Sequence, residues 1–140
     1  MDRLERYLVA AVIVHLGVVL VHAVAHLALE ILPSPPDTVF IVVVILVGPV
    51  AALPLLRFSR VFAGGLLAVF MVSAFAYGIQ SHFLAPGPDR VSIVGTDPWT
   101  VAFVGSAIGI GVLEVAVALL GISLFLSATR TPSGSSGQRT

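Results

Sequence analysis

Apolar residues along this chain fall into four blocks, each longer than the roughly 20 residues an α-helix needs to cross the hydrocarbon of a bilayer. They cover residues 7–32, 35–56, 61–83 and 98–126, and each is bounded by Pro, Arg or Ser/Gly-rich sequence. The pattern predicts an all-α, polytopic integral membrane protein with four transmembrane helices in an up-down bundle. Pro33 stops the first block, which is too long for the apolar region of a signal peptide and reads as an anchor helix. Ser34, Pro35 and Asp37 then supply an N-cap, a first-turn proline and a capping-box acid for the second. Pro49 and Pro54 lie inside that second block, where each removes a backbone donor and is expected to kink the helix. The only long loop, residues 84–97, turns at Pro86-Gly87-Pro88, and its segment Val91-Ser92-Ile93-Val94 suits the membrane surface. Asp97-Pro98 opens the fourth span, with Trp99 at interfacial depth.

Composition narrows the class. The chain has 140 residues, is 58% hydrophobic and only 10% charged, with a mean hydropathy of +1.10. Soluble domains carry about 25% charged residues, so this surface is made for lipid. Residues 1–128 form one transmembrane domain, with no room for a soluble catalytic domain beside four spans, and residues 129–140 read as a disordered cytoplasmic tail. Seven arginines balance seven acids, which leaves no basic surface for nucleic acid. Cysteine is absent, so disulfides, thiolate metal sites and Cys nucleophiles are excluded.

Charge placement sets an expected orientation. Arg3, Arg6, Arg57, Arg60, Arg130 and Arg139 fall on one side of the four-span arrangement, and Arg90 alone on the other. The positive-inside rule then puts both termini in the cytoplasm of a multi-pass cell-membrane protein, with the 32–37 and 84–97 loops outside.

The candidate chemistry lies in the polar positions that interrupt the apolar blocks. His15, His22, His26 and Glu30 are spaced by 7, 4 and 4 residues. At about 100° per residue the histidines share an arc of roughly 40°, and Glu30 follows within about another 40°. The stripe covers about 22 Å of depth. Ionisable groups inside a membrane are costly and usually functional; the bland alternative is that they hydrogen-bond neighbouring helices. His82 ends the third span on the face of Met71, Phe75 and Gly78. Spans one and three run the same way, so His26, Glu30 and His82 are expected at one outward-facing site, with His22 as a fourth member. Two or three imidazoles with a carboxylate suit copper or zinc. A haem b held between His22 or His26 and His82 is the other cofactor these residues allow.

Glu114 in the fourth span lies at the depth of His15, and the two read as a proton relay or a structural polar pair. Gly105 and Gly109 form a small-residue pair on one face of that span, Gly111 lies on the other, and both faces suit helix packing. Ser73, Ser81, Ser106 and Ser123 read as packing serines, not nucleophiles.

Three functions follow. The first is a small subunit that binds copper, zinc or haem b, associated with other membrane subunits or copies of itself in a redox or metal-handling complex. The second is a proton- or ion-coupled transporter or pore along His15, His22, His26 and Glu114. The third is a structural or assembly protein. Whether the chain is an enzyme is left open by its residues.

Overall fold

The structure is a computed structural model that describes residues 1–92, 95–96 and 98–130. The expectations placed on Ile93, Val94, Asp97 and residues 131–140 lie outside the described residues. The chain forms four helices long and apolar enough to cross a membrane: α1 (Arg3–Ala28), α2 (Pro35–Leu55), α3 (Arg60–Leu84) and α4 (Pro98–Thr129).

α1 starts at Arg3, earlier than its apolar block, because Asp2 and Glu5 close a capping box. The Glu5 N–H donates to the Asp2 carboxylate and the Asp2 N–H to the Glu5 carboxylate, both at 2.9 Å. Two of the helix's orphan donors are thereby satisfied. The Arg60 guanidinium bonds Asp2 and lies 3.2 Å from Glu5, which ties the first turn of α1 to the first turn of α3. The Glu5 backbone donor, aided by Arg60, holds the exposed Asp2 carboxyl below the usual carboxylate range.

α1 also ends earlier than its apolar block. The Ile31 N–H donates to the His26 carbonyl at 3.0 Å and the Glu30 N–H to the Leu27 carbonyl at 3.2 Å. This is a Schellman turn, in which the residue after the cap takes a left-handed conformation. That residue is Glu30, at φ 56. Pro33 follows and bars any continuation.

The prolines of α2 act through a π-helical stretch, Ile41–Val47, directly before Gly48-Pro49. Pro49 has no N–H for the Ile45 carbonyl and its ring crowds that carbonyl, so the preceding turns widen. α3 closes on a second π-helical segment, Gln80–Leu84, in which the Ala85 N–H reaches back to the Gln80 carbonyl at 2.7 Å.

α4 packs along both α3 and α1, and α2 leans on α3. α1 and α3 also meet near their two ends, through the Asp2–Arg60 pair at one and histidines at the other. A tight core of Leu8, Val12, Ala52, Leu67, Met71, Val117, Ala118 and Leu124 fills the half of the bundle nearer Arg60. Toward the other end α1 and α3 are separated by a cavity of about 290 Å³. Aliphatic residues such as Ile13, Leu20, Val24, Val69, Val112 and Leu119 stay exposed, as a lipid-facing shell requires.

Among the described glycines, the closest approach to a neighbouring helix is at Gly64 and Gly121. A Cβ on Gly64 would lie 2.7 Å from the Gly121 carbonyl oxygen, and one on Gly121 would lie 2.9 Å from that of Gly64. Of the glycines singled out for packing, Gly109 faces Val18 of α1 and Gly111 faces Phe75 of α3, whereas Gly105 has open space beside it. The small residues of α4 thus serve two neighbours, with the backbone-to-backbone contact one or more turns away from the pair expected to make it.

Candidate metal centre

Three of the four expected ligands converge. His22 and His26 lie one turn apart on α1, and the π-turn at the end of α3 carries His82 toward them. The Nε2 atoms of His22 and His26 are 3.1 Å apart, and those of His22 and His82 are 3.2 Å apart. One ligating atom from each residue lies within 4.8 Å of the others, so the group can hold a metal ion.

The opposite nitrogens explain why these edges face inward. His26 Nδ1 donates to the Ile31 carbonyl at 2.8 Å, and His82 Nδ1 donates to the Asp89 carbonyl at 3.1 Å. A carbonyl can only accept, so both Nδ1 atoms carry the hydrogen. His22 Nδ1 lies 2.9 Å from the Ser106 hydroxyl, which gives its own hydrogen to the Ala102 carbonyl at 2.5 Å and is left as an acceptor. With His22 in the same tautomer, the imidazoles turn their Nε2 lone pairs toward one another, that of His22 lying 3.1 Å from His26 and 3.2 Å from His82. Lone pairs so placed repel unless a cation sits among them. A metal bound at about 2.0–2.1 Å from each nitrogen sets three ligands about 3.5 Å apart in a plane, a few tenths of an ångström wider than the two distances to His22.

The acceptors come from local folding. The Schellman turn at Glu30 brings the Ile31 carbonyl back over His26, and the loop after α3 folds so that the Val91 N–H donates to the His82 carbonyl at 3.0 Å. Phe103 of α4, fully buried, lies against all three rings: stacked on His22 at 4.9 Å between centroids, and edge-on to His26 and His82 at 4.9 and 5.4 Å. Phe103 and Ser106 sit one turn apart on α4. Neither was legible as a site residue, since an apolar span is full of Phe and scattered Ser.

Glu30 stands outside the group. It is exposed and occupies the left-handed position of the Schellman turn, so the helical stripe that carries His22 and His26 stops before it. Its place in the turn costs on the order of 1 kcal/mol relative to glycine. Glu30→Gly is therefore expected to raise stability by about that amount and to leave metal binding unchanged. Thermal unfolding and metal content of the purified variant check both; a loss of metal would return Glu30 to the ligand set.

The packing also bears on haem. An iron between two axial imidazoles needs about 4 Å from nitrogen to nitrogen and a free plane between them. Here the His22 and His82 nitrogens are 3.2 Å apart, with the His26 nitrogen 3.1 Å from that of His22. That spacing is nearer to ligands of one bare ion than to axial ligands of a haem iron.

His15 and Glu114 come together separately, deeper in the bundle. His15 Nε2 lies 3.8 Å from Glu114 Oε1, and both side chains are buried. Glu114 and the three histidines line the same cavity, whose walls are otherwise mostly apolar, among them Val19, Ile45, Ala74 and Phe75.

Comparison of the chain with protein-family models, curated proteins and solved structures finds no match.

Ser106→Ala tests the outer hydrogen bonds. It leaves His22 Nδ1 without an acceptor, and loss of such a partner costs about 10–100-fold in metal affinity. Equilibrium titration of the variant should show a shift of that size with stoichiometry unchanged; wild-type affinity would mean that Ser106 does not orient His22.

Proposed function

We propose that this chain is a small integral membrane protein that binds one copper or zinc ion through His22, His26 and His82 and serves in metal handling at the membrane. The observation that carries the reading is the convergence of three Nε2 atoms, with His26 and His82 Nδ1 fixed on backbone carbonyls and His22 Nδ1 on the Ser106 hydroxyl. Two of the rings are held with Nε2 as an acceptor, and all three Nε2 atoms turn toward one point, as ligands of one ion would.

Imidazole ligands suit both metals. Such ligands bring no negative charge to the ion, and desolvation grows steeply with charge. That favours monovalent copper, while zinc would complete its tetrahedron with a fourth ligand from the cavity. The arginine distribution supports a site at the outer face, with both termini cytoplasmic. The exposed apolar shell of α1 and α4 suits lipid or further membrane subunits.

Elemental analysis of protein purified without added chelator tests the reading. It predicts about one copper or zinc per chain and no Soret absorption. Metal-free protein that also fails to take up either ion on titration would overturn it.

A further inference from the structure

The cavity below the triad does not end on an apolar wall. Glu114 lines it, and His15 lies on the far side of that carboxylate. Both nitrogens of His15 are buried with no hydrogen-bond partner, and the residue has no exposed surface. Orphaned polar atoms of this kind are rare in folded proteins, because each carries its full desolvation cost. The 3.8 Å between His15 Nε2 and Glu114 Oε1 is too long for a hydrogen bond. It matches two ligands that share one ion, since bonds of about 2.0 Å to nitrogen and oxygen span at most about 4.1 Å.

We infer that His15 and Glu114 form a second cation site, for the same class of ion as the triad, at the inner end of the cavity. The inference rests on the metal-binding reading of His22, His26 and His82 and extends it inward. Charge supports it. Glu114 is an acid in the middle of an apolar span, and one monovalent ion beside it makes a neutral ensemble, which is what a membrane interior tolerates. Ala74, Phe75 and Gly78 of α3 and Ile41 and Ile45 of α2 have no ligating atom; Tyr77 and Asp89 are the other titratable side chains that line the cavity besides Glu114 and the histidines.

The two sites differ in depth. Seven residues of α1 separate His15 from His22, about 10 Å along the helix. An ion that passes from triad to pair has therefore crossed about a third of the roughly 30 Å hydrocarbon layer. Beyond the pair the tight core around Leu67, Met71 and Val117 closes the bundle. On this reading the cavity leads a cation from the triad toward Glu114 and is shut toward Arg60 by that core.

The test is binding stoichiometry of the full chain in lipid nanodiscs, by equilibrium dialysis against copper(I) kept reduced with ascorbate, and against zinc in parallel. Wild-type protein should bind two ions of one of these metals, the second more weakly. Glu114→Gln should bind one, at wild-type affinity for the first ion, which also reports that the bundle is intact. Should Glu114→Gln lose both ions, His15→Gln replaces it, with the same expectation of one. Wild-type saturation at one ion overturns the second site and leaves the triad standing, as does a second ion that persists in the variant. Wild-type binding of none overturns the triad reading, and the second site with it.

Discussion

His82→Ala is expected to abolish stable metal binding. α1 alone retains His22 and His26, a two-imidazole chelate one turn apart, and the third nitrogen comes only from α3. Removal of a partner that merely orients a ligand costs about 10–100-fold, so removal of a ligand should exceed that and leave well under about 0.1 ion per chain after desalting. The fold should survive. His82 sits in the last π-turn of α3, outside the core of Leu8, Val12, Leu67 and Met71. His15→Ala, at the same time, should leave the triad's ion in place. Equal metal loss in both variants would mean that binding depends on the general integrity of the bundle and not on the triad.

Gly64→Val should be the most destabilising single substitution in the helix contacts. The first carbon of any side chain there would lie 2.7 Å from the Gly121 carbonyl and 2.9 Å from the Phe125 nitrogen, both backbone atoms that cannot rotate away. α3 and α4 must separate. Overpacking of this kind costs about 1–3 kcal/mol, occasionally more, and in lipid the lost contact is most of what holds two helices together. Gly105→Ala is the matched control: its added methyl meets open space, and alanine favours a helix by about 1 kcal/mol over glycine. Reversible unfolding in mixed detergent should show a fall for the first and no loss for the second. A Gly64 variant as stable as wild type would place the tight α3–α4 contact elsewhere.

The stripe of His15, His22 and His26 was legible because helical periodicity alone puts them on one face, and parallel spans put His82 near their level. The rings of His26 and His82 lie 5.7 Å apart between centroids, with Phe103 beside both. Glu30 belonged to the same arithmetic only while the helix continued. A Schellman turn with a non-glycine residue at its left-handed position carries no reliable signal in one sequence, and it removed the carboxylate from the site while supplying the carbonyl that orients His26. Ser106, Phe103 and the Asp89 carbonyl were hidden for a different reason. They come from distant parts of the chain, and only packing of α4 against α1 and folding of the loop after α3 bring them in. Glycine spacing told that α4 packs on two sides, but among Gly105, Gly109, Gly111 and Gly121 it could not tell which one meets backbone.

X-ray absorption at the metal edge of the copper- or zinc-loaded protein tests the triad most directly. With the ion held to one equivalent, the account predicts a first shell of three imidazole nitrogens at about 2.0–2.1 Å, with the outer-shell scattering of histidine rings and no sulfur. A shell dominated by oxygen, or by fewer than two imidazoles, would contradict it.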